Sequence, residues 1–589
     1  MKKILIVLLM LCTLSIWGCE EKNIDFVKPT PDKEKPTQKP EGDKGEDNKE
    51  DEPNNGEWDP DNKPEGEQLN GTTIDPKNTH YGLVTDATTG AGIAGVVVSD
   101  GFTCVQTDSN GVYQLARHEK CEVINISIPA EYEIPVGTDN LPAHYHLFTP
   151  SATAKMRHDF TLKPLAGGKE TRFTMLALGD IQCHDMRDTE RFNDETMVDI
   201  VNLVPTLENA YAISLGDVTN KNNSAIWAKE KQIMSRRNIT FFNCMGNHDH
   251  LNELTPNDHS NTTSYWKSVE NFHKYFGPQN YSFDRGDVHF VVMDNALHGE
   301  RPNDGGDYEY ATGIYDWGYK WFLQDMSFVP KSKAVVFICH IPFRDGSGNN
   351  HPNSRYRQNI LNKLSEYREA HIWVGHSHLT QKYIHTVNGK RIVEHVHAAV
   401  HGNMWHSSFG LDGSPNGYGV WVFGGPSVVD NYYKSVGYDR NYQMRVYNGS
   451  QRFYDPRLNV SQKARKNYHS SYSWNKIGYI YACIWDIEHN EWEVSLWQNG
   501  QKVCNMTKMN NAFDWYINYW WGEVWGSEDY AKNNKARHLY EAKLADPNAP
   551  FEVRAVDKRG IRGPFICNHY TTDYEGIIGD FDVWYPESQ

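Results

Sequence analysis

Short apolar segments that end in polar side chains, four of them through a glycine, constrain the fold of this chain more than any other feature. Five such segments occur between residues 172 and 378: FTMLALGD, AYAISLGD, ITFFNCMGNHD, AVVFICH and HIWVGHSH. Between and beside them lie stretches with helical patterns, near 190–204, 223–237, 264–275 and 354–369. Apolar strands that alternate with helices predict an α/β layer architecture whose central strands are buried on both faces.

The polar residues of these segments are expected to converge, although they are scattered over about 200 residues of sequence. In open α/β sheets, ligands bind at the carboxyl ends of the strands. A single Gly-Asp is usually a turn and a single His usually has a structural role, so the prediction depends on the ordered set. The candidate side chains are Asp180, Asp217, Asn247, His248, Asp249, His340, His376 and His378.

The ordered motifs GD, GD, GNHD, H and GHSH resemble those of the calcineurin-like metallophosphoesterases. The resemblance extends over about 77–589 and is strongest in 172–410. It implies a four-layer αββα core with two metal ions at the strand ends. The implied activity is hydrolysis of a phosphomonoester or phosphodiester, by in-line attack of a hydroxide that bridges the ions.

The same resemblance assigns metal ligands. Asp217 would contact both ions. The other ligands divide between the two ions, with Asp180 and His378 at the first and Asn247, His340 and His376 at the second. Mixed oxygen and nitrogen ligands without a thiolate suit two divalent ions drawn from Mn, Fe, Zn and Mg, and the ligand types do not choose among these.

Other residues are expected to act on the substrate. By the resemblance, His248 would neutralise charge on the phosphoryl oxygens and donate a proton, while Asp249 would hold its imidazole in orientation. The segment HVHAAVHGNMWH, at 395–406, follows the last motif and contains four His. His397 or Asn403 could line the substrate pocket, although alternating His on a polar strand face is the simpler interpretation.

The first motif departs from the family pattern, which usually shows Asp-x-His. Here GDIQCH places Gln182 at the His position. A Gln carbonyl can bind a hard cation, but it is a poorer donor than imidazole to Zn or Fe. We therefore expect Gln182 to be a ligand of a weaker first site, suited to Mn or Mg or filled only with substrate.

The N-terminus predicts export. Two Lys precede an apolar run, and the tetrad IWGC, which ends at Cys19, resembles the lipobox of bacterial lipoproteins. We expect a signal peptide over 1–18, a lipidated Cys19, and a location in the periplasm or at the cell surface. A plain secretory signal and an uncleaved anchor are the alternatives.

Residues 28–68 hold 14 Asp/Glu, 7 Lys and no aliphatic residue, so we predict a disordered tether over 19–76.

Strand-rich sequence flanks the α/β segment on both sides. Residues 77–165 contain short alternating runs between Gly/Asp/Asn turns and resemble the carboxypeptidase-regulatory-like β-sandwich. The metallophosphoesterase-like domain is predicted over 170–410. Tyr- and Trp-rich strand patterns predict a C-terminal β-rich domain over 411–589.

Charge excludes one class of function. The net charge is −17 and no basic stripe occurs, which argues against binding of duplex nucleic acid.

Two hypotheses for the function remain. The first is an exported, membrane-tethered, dinuclear metal-dependent phosphoesterase acting on a phosphate ester. The second is a non-catalytic glycan- or protein-binding lipoprotein with a vestigial metal site. Both leave the oligomeric state open.

Overall fold

The computed structural model describes most of the chain from residue 66 onward. The described ranges are 66–149, 154–235, 238–250, 262–298 (backbone only for 262–264), 310–344, 348–350, 354–449, 476–509, 514 and 537–571. The predicted signal peptide, Cys19 and residues 20–65 of the predicted tether lie outside them. Within these ranges, no helix combines the length and the hydropathy needed to cross a membrane.

Residues 66–165 contain a β-sandwich of two four-stranded sheets, preceded by a short hairpin. The hairpin strands are β1 (Gln68–Leu69) and β2 (Thr72–Thr73). One sheet comprises β3 (His80–Asp86), β6 (Val112–Leu115), β9 (Met156–Arg157) and β10 (Phe160–Leu162). The other comprises β4 (Val97–Ser99), β5 (Cys104–Gln106), β7 (Val123–Ile126) and β8 (Tyr145–Leu147). Val84, Val98 and Ile124 are fully covered in the core between the sheets.

The predicted tether is too long at its C-terminal end. Leu69 and Ile74 are buried and pack with Tyr81 and Val112 of the sandwich. The segment without aliphatic residues ends at residue 68, and the apolar side chains that follow it are sufficient to fix the chain against the sandwich.

Two larger sheets form the centre of the molecule. The five-stranded sheet has the order β13-β12-β11-β22-β23 and the six-stranded sheet the order β14-β15-β18-β19-β21-β20. The first consists of β11 (Arg172–Leu178), β12 (Ala210–Leu215), β13 (Thr240–Cys244), β22 (Gly417–Gly424) and β23 (Val428–Ser435). The second consists of β14 (Tyr281–Arg285), β15 (Val288–Val292), β18 (Ala334–Ile338), β19 (Glu369–Val374), β20 (Gln381–Val387) and β21 (Lys390–Val396).

Helices cover the outer face of each sheet. They are α1 (Met186–Arg191), α2 (Val198–Leu203), α3 (Ser224–Ser235), α4 (Thr262–Phe276), α5 (Asp316–Ser327) and α6 (Arg357–Leu364), with a π-helical turn at Phe192–Met197 and a 3₁₀ turn at Val204–Thr206. One apolar core lies between the two sheets, and a further core lies between each sheet and its helices. The predicted αββα architecture is therefore confirmed.

The helical patterns found in the sequence correspond to helices, but α5 was not predicted. Its sequence, DWGYKWFLQDMS, contains Gly318 and several aromatic residues, all of modest helix propensity. Trp321 and Phe322 are fully covered by the six-stranded sheet. Tertiary packing thus outweighs the weak local preference.

The C-terminal region is β-rich, as predicted. One sheet holds β24 (Met444–Asn448), β25 (Tyr479–Ile484), β28 (Thr507–Lys508) and β29 (Leu539–Lys543). The other holds β26 (Trp492–Gln498), β27 (Gln501–Asn505), β30 (Phe551–Asp557) and β31 (Phe565–Cys567). Apolar residues of both sheets share one core. A separate two-stranded ribbon, β16 (Ala296–His298) with β17 (Tyr310–Thr312), lies within the α/β region.

The predicted boundary at 410/411 is wrong. Strands β22 and β23 follow it, yet β22 pairs antiparallel with β11 from Arg172 to Ala177 and so belongs to the central sheet. The aromatic pattern of these strands resembles that of the C-terminal strands, and sequence alone could not show which sheet they join. The α/β region therefore extends beyond residue 435.

Candidate metal centre and active site

The structure brings together the side chains that follow five strands of the two central sheets. Strands β11, β12 and β13 are parallel, as are β15, β18 and β19, so the loops at their carboxyl ends can meet. Side-chain pairs across these loops include His378 Nε2 with Asp180 Oδ1 at 3.4 Å, His340 Nε2 with Asp217 Oδ2 at 3.0 Å, and His376 Nδ1 with Asn247 Oδ1 at 2.9 Å.

The backbone of these loops is strained at the candidate ligands. Five of them adopt positive φ: Asp180 (28°), Gln182 (46°), Asp217 (50°), His376 (68°) and His378 (58°). A non-glycine residue in this region costs roughly 1–3 kcal/mol, and such residues cluster at functional sites. The loops therefore place these side chains at the expense of local backbone energy.

The glycines of the motifs permit close approach between the loops. A Cβ on Gly216 would lie 2.5 Å from His340 Nδ1, and a Cβ on Gly375 would lie 2.5 Å from Asp180 Oδ2. Both distances are far shorter than van der Waals contact. Each glycine thus allows a candidate ligand that follows a strand of the other central sheet to pack directly against the loop.

Asp217 and His340 form a buried pair of opposite charge. Burial by itself would raise the pKa of Asp217, but the nearby His340 and His248 outweigh burial and lower it. Burial would likewise lower the pKa of His340, but Asp217 and then Asp180 raise it to about 9. The carboxylate of Asp217 is therefore ionised over the physiological range.

His376 connects the two halves of the cluster. Its backbone N–H donates to both carboxylate oxygens of Asp180, at 3.0 and 2.9 Å. Its Nε2 lies 3.3 Å from the hydroxyl of Tyr310, a residue that the sequence did not single out because it lies in a polar segment outside the motifs. Burial and the neighbouring His340 hold the pKa of His376 well below its ordinary value, so this imidazole is neutral.

The residues present fit a metal ion. The ligand atoms of Asp217, His340 and His376 all lie within 4.8 Å of one another. The Nδ1–H of His340 donates to the Leu215 carbonyl at 2.8 Å, which directs Nε2 into the cluster, and this buried Nε2 has no aligned hydrogen bond. Metal-binding histidines typically donate one ring N–H to a carbonyl in this way, which points the other ring nitrogen at the ion.

His248 lies beside the cluster, but its predicted partner is wrong. Its Nδ1 lies 2.8 Å from the carbonyl oxygen of Asn220, and since a carbonyl can only accept, Nδ1 carries the proton. The Asp249 carboxylate instead accepts from the backbone N–H groups of Val218, Thr219 and Gly246. Asp249 is fully buried and ties two loops together, because the tight turn after Gly246 directs its side chain inward rather than toward His248.

Gln182 is buried next to the cluster, and its neighbour is a histidine outside the five motifs. Gln182 Oε1 lies 3.3 Å from Nε2 of His401, whose ring lies edge-on to that of His378 with centroids 4.6 Å apart. The signal for His401 was present in the His-rich segment 395–406, but the alternation there gave no way to choose among its four His.

His397 has structural partners, which corrects its assignment as a pocket residue. Its Nε2 accepts from the indole N–H of Trp421 at 3.2 Å, and its Nδ1 lies 3.3 Å from the Val374 carbonyl. Asn403 is buried, and its side-chain nitrogen has no hydrogen-bond partner among the described residues. A role for Asn403 in substrate binding stays a prediction.

Three family models match successive parts of this chain. The model described as the N terminal of calcineurin-like phosphoesterase matches 78–165, the calcineurin-like phosphoesterase model itself matches 173–379, and the model of its C terminal matches 394–562. Together they account for most of the chain. The chain belongs to the calcineurin-like phosphoesterase family, in the form that carries both terminal extensions.

Solved structures show weaker likenesses. A structure of PhoD is 8% identical, with a TM-score of 0.31, over 56% of this chain and 78% of that chain. The sulfate thiohydrolase SoxB of Thermus thermophilus is 11% identical, with a TM-score of 0.22, over 45% of this chain and 56% of that chain. No curated protein sequence matches the chain.

Proposed function

We propose that this protein is a metal-dependent hydrolase of phosphoric esters that uses two divalent ions. The convergence of Asp217, His340 and His376, with their ligand atoms within 4.8 Å of one another, is the observation that carries the proposal. Asp180, Asn247 and His378 lie in contact with this cluster and supply further ligands. Membership of the calcineurin-like phosphoesterase family supports the same conclusion.

The chain's own residues would perform distinct tasks. When bound, two divalent ions would activate a water molecule and neutralise charge on the phosphoryl oxygens. From its place in the second GD motif of the family, Asp217 would contact both ions. One of its carboxylate oxygens lies 3.0 Å from His340 Nε2, and the other accepts the backbone N–H of His248 at 2.8 Å. His248 keeps its Nδ1 proton on the Asn220 carbonyl, so Nε2 would carry the second proton of the charged ring, and that proton would pass to the leaving group.

Hydrolysis of chromogenic substrates tests this proposal. Chelator-treated full-length protein would be assayed with 4-nitrophenyl phosphate and with bis(4-nitrophenyl) phosphate, before and after addition of Mn²⁺, Zn²⁺, Fe²⁺ or Mg²⁺. We expect turnover of at least one ester only after metal is restored. Absence of turnover with every metal, together with no retained metal, would favour the non-catalytic binding lipoprotein instead.

We further propose that the protein is exported and anchored to a membrane through Cys19. The apolar run that ends in IWGC and the acidic, Pro-rich segment after it support this proposal. In a bacterial host, metabolic labelling with palmitate is expected to label the wild-type chain and not a Cys19→Ala variant. Equal labelling of both, or of neither, would contradict lipidation at Cys19.

A further inference from the structure

His401 and Gln182 belong to a chain of hydrogen bonds beside the metal centre. The backbone N–H of Met404 donates to His401 Nδ1 at 2.8 Å, and His401 Nε2 lies 3.3 Å from Gln182 Oε1. Gln182 Nε2 then donates to Asn220 Oδ1 at 3.1 Å. The carbonyl of Asn220 accepts from His248, the proposed proton donor. Gln182 is thus held from both sides.

The Met404 amide sets the direction of this chain. A backbone N–H can only donate, so Nδ1 of His401 accepts, and the proton of the neutral ring is on Nε2. Nε2–H therefore donates to the amide oxygen of Gln182, and the amide nitrogen of Gln182 faces Asn220. A nitrogen that carries a proton cannot bind a cation, so His401 orients Gln182 and is not itself a ligand.

The two proposed ion positions consequently have different donors. The first would be held by the carboxylates of Asp180 and Asp217, the imidazole of His378 and the amide oxygen of Gln182. The second would be held by the shared carboxylate, the amide oxygen of Asn247 and two imidazoles, His340 and His376. Imidazole nitrogen favours transition metals such as Zn²⁺, whereas carboxylate and carbonyl oxygens suit Mg²⁺ and Mn²⁺. The first position is therefore the poorer one for a transition metal.

We propose that His401 is a positioning residue that holds the amide oxygen of Gln182 toward the first ion, and that a Zn²⁺ ion binds more weakly at this position than at the second. The inference rests on the proposed function, because it assumes that the cluster binds two ions. Groups that orient a ligand typically contribute a factor of about 10–100 to metal affinity. Loss of the His401 N–H should therefore affect one ion and spare the other.

Calorimetric titration of the chelator-treated full-length protein with ZnCl₂ tests the inference without any assay of activity. We expect two classes of site in the wild type. In His401→Phe, the weaker class should lose about 10–100-fold in affinity while the tighter class is unchanged. His397→Phe is the matched control, since it also replaces a fully buried imidazole that packs near a Trp ring but lies outside the hydrogen-bond chain. The His397→Phe variant should bind both classes of ion with wild-type affinity.

Several outcomes would overturn the inference. The inference is wrong if His401→Phe keeps wild-type affinity for both ions, or if both classes of site are weakened equally in that variant. It is also wrong if the wild-type protein has two sites of equal affinity. If thermal unfolding shows that His401→Phe does not fold, Gln182→His decides, because a nitrogen donor there should raise the Zn²⁺ affinity of the weaker class at least 10-fold. No change in that variant would contradict the inference. A wild-type protein that binds no Zn²⁺ at all would refute the proposed function as well.

Discussion

Asp217 is only 1% exposed and is surrounded by the imidazoles of His340, His248 and His376. One carboxylate oxygen accepts a backbone N–H, and the other faces His340 at 3.0 Å. A buried carboxylate is costly unless it is paired, and here its partners are also the proposed metal ligands and the proposed proton donor. Changes at Asp217 and at His248 should therefore have separable effects.

Replacement of these two residues by alanine separates metal binding from catalysis. Asp217→Ala should abolish both metal retention and turnover, because the ligand shared by the two ions is lost. His248→Ala should retain metal and slow hydrolysis by roughly 10²–10⁴-fold, as expected for loss of a general acid. Metal content by mass spectrometry and kcat for a chromogenic ester provide the readouts. Full activity in His248→Ala would refute the proton-donating role.

At the scale of the elements, helix α5 is joined to the six-stranded sheet through a buried charge network. His289 on β15 lies between Asp284 Oδ1 at 2.8 Å and Asp325 Oδ2 of α5 at 2.9 Å, and Ser282 donates to Asp325 at 2.7 Å. Lys333 also pairs with Asp284. Burial would lower the pKa of His289, but Asp325 and Asp284 outweigh burial and raise it to about 9.

This network predicts how stability depends on pH. Because the folded-state pKa of His289 lies above its ordinary value of 6.5, the charged ring stabilises the fold fully below pH 6.5, and this contribution is lost as the pH rises to about 9. The contribution is on the order of 3 kcal/mol. Denaturant unfolding should show a decline over this range in the wild type and a smaller one in His289→Gln. Parallel pH profiles for the two proteins would contradict the assignment.

The strands and most of the candidate site could be predicted from sequence because each signal was local. An apolar strand followed by a glycine and a ligand identifies both the element and the residue at its end. Tyr310 and His401 could not be found in this way, since they reach the cluster from loops outside the motifs. The hydrogen-bond partners of Asp249 could not be predicted either. They depend on the direction in which the turn after Gly246 points the Asp249 side chain, and the sequence does not determine that direction.

On the scale of the whole molecule, the C-terminal β-rich region contacts the α/β region through buried ion pairs. Lys382 on β20 pairs with Asp486 at 3.1 Å, and Asp412 pairs with His538 at 3.0 Å. Asp412 also accepts from the backbone N–H of Thr380, two residues after the ligand His378. Both side chains of the Lys382–Asp486 pair are largely buried, and burial lowers the pKa of Lys382 to about 8. The C-terminal β-rich region thus helps to hold in place the segment that carries His378, a proposed metal ligand.

Truncation tests where the α/β region ends. A chain that ends at residue 410 lacks β22 and leaves β11 as an exposed, apolar edge, so we expect it to be insoluble. A chain that ends at residue 440 keeps both β22 and β23 and should be more soluble, although less stable than the full chain because Lys382 loses its partner. Soluble yield and the midpoint of thermal unfolding measure the difference. Equal solubility of both truncated chains would contradict the placement of these strands.

The most direct test of the central claim is an anomalous difference map from a crystal of the full-length protein grown with ZnCl₂. We predict a peak enclosed by Asp217, His340 and His376, with a weaker second peak beside Asp180 and His378. A map without a peak between Asp217, His340 and His376, in protein shown to be folded, would contradict the metal centre and with it the proposed activity.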